Sequence, residues 1–256
     1  MWFPDEVDRQ NDWDDPLKHE VQYDTQAVTT CLAAVCTRST AIVAVTDTKF
    51  SFGTGSSEGW KLHSIHRDWH VLYAGSVSPC AEAVLALQAE LDHKPKTVQQ
   101  VRTALVAACH SWPCQEQERR SLLVIGFENR RPRIFTAYDD KMHQNPHVVS
   151  HLARGYAAIG SGAAIALHIL ASYEQTPDTP LLQTAYTSCA AKFFSESADG
   201  VGSRTYLCVF KPGELCHFTG LAARLRRLWR TRGQLPPIPH AKLTEIAKRY
   251  EGLDIA

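Results

Sequence analysis

The chain has 256 residues, of which 44% are hydrophobic and 21% charged, and its formal net charge at pH 7 is zero. That length suits one large domain or two small ones, and the balanced charge encodes no bulk attraction toward nucleic acid or an anionic membrane. No apolar run approaches the roughly 18 residues of a spanning helix, no charged-then-apolar signal segment opens the chain, and the eight cysteines are scattered without a CxxC, which reads as reduced thiols in the core of a cytoplasmic protein.

Residues 1–28 form a leader in which Asp5, Glu6, Asp8, Asp12, Asp14 and Asp15 sit among few periodic apolar positions, so an extended acidic segment is expected. From Thr29 the texture changes. TTCLAAVC and TAIVAVTD are two strand-like runs around the polar Thr37, Arg38 and Ser39, which predicts a hairpin. KFSFGTGSSEG reads as a loop because of its glycine and serine content, and WKLHSIH and WHVLYAGS read as two more strands around Arg67 and Asp68. A helix is expected from SPCAEAVLALQAEL, with Ser78 as cap and Pro79 at the first helical position. A second follows in TVQQVRTALVAACHSW.

The pattern then repeats. SLLVIGFE and RIFTAYD predict a hairpin around Asn129–Pro132, HVVSHL and GYAAIG two strands, and SGAAIALHILASY and LLQTAYTSCAAKFFSESA two helices. SRTYLCVF and LCHFTG predict strands, and LAARLRRLWRTR a basic helix whose arginines read as a solvated face or as a holder for the acidic leader. Strand pairs alternating with helix pairs imply an α+β fold in which two antiparallel sheets stack with helices outside, a four-layer αββα sandwich. The domain reading is a leader over 1–28, one domain over 29–220 and a C-terminal helical extension over 221–256, whose HAKLTEIAKRYEGL segment reads as appended rather than core.

Thr29 and Thr30 are the most informative pair. A threonine at a chain terminus can be a complete catalyst, with its hydroxyl as nucleophile and its own α-amine as base, but here the amine is free only if residues 1–28 are removed. Such a hydroxyl needs a neighbouring base and a cation that favours the alkoxide. Asp47 and Lys61 supply a carboxylate and an ammonium, and a buried ammonium calls for a carboxylate partner. Taken singly, a strand threonine, an edge lysine and turn glycines are structural commonplaces; their joint order is what carries weight.

TTCLAAVC, IVAVTDTKF, GWKLHSI and WHVLYAGS, followed by YAAIGSGAAIA, resemble in content and order the β-type subunits of the proteasome and their bacterial relatives, the N-terminal nucleophile (Ntn) hydrolases. The resemblance runs from about Thr29 to Phe218. It implies a threonine-type peptidase on a proteasome-like sandwich, with Thr29 as nucleophile, Asp47 orienting Lys61, Lys61 tuning the hydroxyl or amine, and the Gly75 N–H as oxyanion donor. Ser161 would help hold the terminal amine. It also implies a peptide or protein substrate and a homo-oligomeric ring, and leaves an ATPase partner open. No cofactor or metal is called for, and His63, His66 and His70 point to mixed faces rather than to a tetrahedral zinc site.

Three departures from the family pattern stand out. Asp47 follows Thr29 by 18 positions and Thr30 by 17, slightly more than the family hairpin allows; an insertion of even length keeps side chains on their faces, which favours Thr29 and leaves Thr30 as the alternative nucleophile. Cys31 would also preserve spacing. Where the family places an aspartate and a serine, SESADGVGSR offers Ser197 and Gly200, with Asp199 or Ser203 in a shifted register. Val28 precedes the threonine where a small residue is usual. The alternative expectation is an uncleaved, catalytically inactive ring subunit.

Overall fold

The computed structural model describes residues 29–52, 55–75, 77–91, 97–110, 120–138, 147–218, 220–232 and 237–250. The leader over 1–28, the Asn-, Gln- and Pro-containing segment 139–146 and Cys114 therefore lie outside the described residues. The protein is a mixed α+β structure with six helices among the described residues and antiparallel sheets.

One five-stranded sheet takes the order β10-β1-β2-β11-β12, from β1 (Cys31–Cys36), β2 (Ala41–Asp47), β10 (Tyr156–Ile159), β11 (Thr205–Lys211) and β12 (Glu214–His217). A second takes the order β5-β6-β7-β8-β9, from β5 (Leu62–His66), β6 (Trp69–Ala74), β7 (Ser121–Glu128), β8 (Arg131–Tyr138) and β9 (His147–Ser150). The β1–β2 hairpin closes at the Cys36 and Ala41 pair. The turn expected around Asn129–Pro132 is the two residues Asn129 and Arg130, both at positive φ as a right-twisted hairpin requires, and Pro132 already pairs with Phe127.

Period two divides the strand side chains between two environments. Cys31, Ala33, Val35, Ile42 and Ala44 meet Leu72, Ala74, Leu123, Ile125 and Phe127 in one apolar cluster shared by the two sheets. Leu32, Ala34, Cys36, Val43 and Val45 face the other way, into a cluster with α3 (Ala163–Ser172), α4 (Leu181–Ser195), α5 (Leu221–Arg232) and α6 (His240–Ala247). Val71, Tyr73, Leu122 and Val124 likewise pack with α1 (Val77–Leu91) and α2 (Val98–His110). Strands buried on both faces read as continuous apolar runs, which is why CLAAVC and WHVLYA lack polar alternation. Helix α4 is buried along nearly its whole length, and Leu243 and Ala247 of α6 lie in its cluster although the tail reads as appended.

Two local expectations are corrected. KFSFGTGSSEG is not a loop: β3 (Lys49–Phe52) and β4 (Gly55–Glu58) form a two-stranded ribbon with Lys49 opposite Glu58. Gly59 marks close approach, since a Cβ there would come within 2.7 Å of the Phe50 ring. Helix α1 starts at Val77 instead of after a Ser78 cap, and Pro79 still falls in the first turn, where its missing N–H costs no helical bond.

Of the histidines, His63 stacks on Tyr73 with centroids 5.4 Å apart and His70 lies against Phe210 at 4.7 Å. Among the described residues no group of three or more His, Cys, Asp or Glu could hold a metal ion, and no helix is long and apolar enough to cross a membrane. Burial pushes the His70 imidazole down to about 4, and its Nδ1 has no hydrogen-bond partner. The unfolded chain therefore takes up this proton near pH 6.5 and the folded chain only near 4, so the stability it contributes is present above 6.5 and lost as pH falls through that window. Urea unfolding at pH 7 and pH 4 should show His70→Phe retaining about 2–3 kcal/mol more of its stability at pH 4 than the unsubstituted protein does.

Candidate active site

Strand pairing begins at Cys31, so Thr29 and Thr30 precede the regular ladder, although Asp47 N still donates to Thr30 O at 3.2 Å. Strand parity is thus not what aims the two threonines. The turn Gly160–Ser161–Gly162, between β10 and α3, sits directly beneath them. Gly162 N donates to Thr29 O at 3.3 Å, and Ser161 Oγ donates to Thr29 O at 3.3 Å and to Asp199 O at 3.4 Å. A Cβ on Gly160, which holds φ +93°, would overlap Thr29 O, and one on Gly162 would overlap Thr30 Oγ1. Gly162→Ala is therefore expected to cost about 1–3 kcal/mol in urea unfolding and to displace the Thr29–Thr30 segment.

This support separates the two hydroxyls. Thr30 Oγ1 is buried beside Gly162 with no hydrogen-bond partner. Thr29 Oγ1 instead donates to Asp47 Oδ1 and accepts from Lys61 Nζ. Lys61 Nζ completes the triangle with an ion pair to Asp47 Oδ1 at 2.8 Å, and lies 5.0 Å from the centre of the Phe50 ring. Thr29, Asp47 and Lys61 are 3%, 0% and 2% exposed, so the triangle is dry and its charges are paired.

Asp47 is fully provided with donors. Besides Lys61 and Thr29, Oδ1 accepts from Thr30 N at 3.2 Å, and Oδ2 accepts from Gly202 N at 2.9 Å. Burying a carboxylate is costly unless it is paired and hydrogen-bonded, and here an ammonium and two backbone N–H groups supply both. The hydroxyl between them has an acceptor on one side and a cation on the other, the polarity a nucleophilic oxygen requires.

Cys31, which also fits the spacing, borders the triangle, close enough for Lys61, Asp47 and Thr29 to act on its thiol. Its Sγ lies 3.1 Å from Thr46 Oγ1 and 3.5 Å from Tyr73 O, inside the inter-sheet cluster. Burial, only partly offset by Lys61, pushes its thiol up to about 11, which keeps it protonated and unreactive at neutral pH. Cys36, Cys189, Cys208 and Cys216 also carry free thiols.

Gly75 follows β6 directly and holds φ +137°. The Cys31–Tyr73 contact brings that end of β6 to the start of β1, and the β5–β6 ladder pairs Leu62, next to Lys61, with Leu72.

The segment after α4 departs from the expected roles. Ser197 Oγ donates to Phe194 O at 2.9 Å and Gly200 sits at φ +70°, so the former caps its own helix and the latter makes a turn. What reaches the triangle is the backbone: the Asp199 carbonyl through Ser161, and the Gly202 N–H directly. Residue identity carries little signal for a backbone donor. The glycine itself was the available clue, because a Cβ at 202 would crowd Lys49 Cβ at 2.6 Å. Arg226, expected on a solvated face, is turned inward onto Glu196.

Comparison with known protein families and with curated proteins finds no match to this chain.

Proposed function

We propose that this chain is a proteasome-like threonine-type peptidase whose nucleophile, Thr29, is released by removal of residues 1–28. The observation that carries the reading is the convergence of Thr29 Oγ1, Asp47 Oδ1 and Lys61 Nζ from three separate points of the sequence into one buried triangle. The three apolar clusters, one between the sheets and one between each sheet and its helices, support a four-layer αββα sandwich of the Ntn type. The resemblance in motif order extends the reading to a peptide or protein substrate and a homo-oligomeric ring in the cytoplasm, with an ATPase partner left open.

In the uncut chain Asp47 accepts the Thr29 hydroxyl proton while Lys61 stabilises the developing alkoxide. Thr29 Oγ1 adds to the Val28 carbonyl carbon, the Val28–Thr29 amide bond breaks with protonation of the nitrogen, and water hydrolyses the resulting ester. The exposed α-amine then serves as base for substrates: Oγ1 adds to the scissile carbonyl and its proton passes to the amine. The Gly75 N–H would hold the oxyanion. Protonation of the leaving amine yields the acyl-enzyme, and water attacks it to restore the hydroxyl.

Covalent labelling tests the assignment. A peptide β-lactone should acylate the protein once, with the adduct mapped by peptide mass spectrometry to Thr29; absence of an adduct, or its appearance on Thr30 or Cys31, would overturn it.

One observation favours a second reading, an uncleaved and inactive ring subunit: Thr29 is 3% exposed and its hydroxyl is engaged on both sides. Such a subunit would keep the buried triangle as a structural ion pair and would leave the lactone unreacted.

A further inference from the structure

Lys192, in the last turn of α4, is a lysine with 0% exposure, and the triangle does not use it. Its Nζ donates to Glu196 Oε1 at 2.6 Å and to the carbonyl of Gly202. Burial pulls its pKa below the ordinary lysine value, with Glu196 and then Asp47 acting against that shift. Glu196 is gripped from its far side by Arg226 of α5, whose two terminal nitrogens lie 2.6 Å from Oε2 and 2.5 Å from Oε1. The same guanidinium donates to Ser203 O at 2.6 Å and to Thr205 Oγ1 at 3.0 Å, and it stacks 4.1 Å over the Phe193 ring.

These contacts tie both ends of one segment. Residues 196–204 leave α4 at Glu196 and enter β11 at Thr205, the partner of Asp47 in the ladder. Between them Gly202 is held twice, by its carbonyl on Lys192 and by its N–H on Asp47 Oδ2. A bidentate arginine-carboxylate pair fixes direction as well as distance, and a buried ammonium that gives up hydration for one carbonyl and one carboxylate makes that segment hard to displace.

We propose that Lys192, Glu196 and Arg226 are positioning residues for Asp47: they fix the backbone of residues 196–204 so that the Gly202 N–H occupies Oδ2 and turns Oδ1 toward Lys61 and Thr29. The consequence for catalysis rests on the peptidase reading above; the holding of Asp47 does not. The contacts of the network run to Asp47 through Gly202, so its effect reaches the chemistry through the carboxylate.

The test combines amide exchange with kinetics in the full chain. In Glu196→Gln and Arg226→Gln the Gly202 amide should exchange about tenfold faster than in the unsubstituted protein, while the Ala44 and Val209 amides of the paired β2 and β11 keep their rates. On a fluorogenic peptide, kcat should fall about tenfold with KM unchanged, since the lost interaction acts on the nucleophile's support and not on substrate binding. Arg226→Lys, which keeps the charge but not the fork, should recover part of both effects.

The proposal is overturned if Gly202 exchange is unchanged in both glutamine variants or if Ala44 and Val209 lose protection in step with it. It is also overturned if Gly202 loosens in an active enzyme while kcat stays the same. A protein with no peptidase activity in any form would defeat the peptidase reading instead, and the exchange of Gly202 against Ala44 and Val209 would still decide whether the network holds Asp47.

Discussion

Thr29→Ala is expected to leave the chain uncut and to lower turnover of a fluorogenic peptide by at least about 10³-fold, the scale on which removal of a nucleophile acts. Asp47 and Lys61 both address the hydroxyl oxygen, and alanine leaves both groups in place with no hydroxyl to activate. Thr30→Ala should remain within about tenfold of the unsubstituted protein, because Thr30 Oγ1 has no hydrogen-bond partner and the Thr30 contact to Asp47 is made by the backbone N–H that alanine keeps. Equal losses in the two variants would show that the pair acts through packing at the start of β1. SDS gels of freshly purified protein and initial rates on one peptide are sufficient to separate these outcomes.

Lys61→Met should produce the largest stability change of any single substitution in the site. It leaves Asp47, at 0% exposure, without the ammonium that lies 2.8 Å away. Breaking a buried pair from one side costs about 3–5 kcal/mol, because the remaining charge is stranded in a low-dielectric interior. The two backbone donors from Thr30 and Gly202 stay in place, so a loss of about 3 kcal/mol is expected in urea unfolding. Replacing both partners, Asp47→Asn with Lys61→Met, removes the stranded charge and keeps an amide oxygen for one of the two backbone donors, so it should recover part of that stability while leaving the protein without peptidase activity. Stability of the single variant within about 0.5 kcal/mol of the unsubstituted protein, a margin typical of surface changes, would mean that the pair is solvated.

Long apolar runs carried the architecture in the sequence. CLAAVC, AIVAVTD, WHVLYA and SLLVIGFE register as strands because both of their faces are buried, one against the other sheet and one against helices. Side-chain pattern reports burial but not partners, so the placement of β10 beside β1, which brings the Gly160–Gly162 turn under Thr29, had no local signal. The β3–β4 ribbon was hidden by its glycine and serine content, and the glycine that closes it, Gly59, serves close packing on Phe50.

The site divides along the same line. Thr29, Asp47 and Lys61 are side-chain chemistry at spacings that can be read, and the structure brings those three together. Gly202 and Thr30 contribute N–H groups, which every residue but proline carries, so only the folded chain reveals them. The inward turn of Arg226 was masked by its neighbours, since arginines at 224, 226, 227, 230 and 232 all read as the polar side of an amphipathic helix until one of them finds Glu196.

The Val28–Thr29 bond decides between the enzyme and the ring subunit, because the α-amine of Thr29 exists only after it is cut. The intact mass of the purified protein, expressed from Met1 to Ala256, measures this directly. The account predicts a mature species beginning at Thr29, converted to the uncut mass by Thr29→Ala. Material that retains residues 1–28 throughout, in the unsubstituted protein as in the variant, would contradict it.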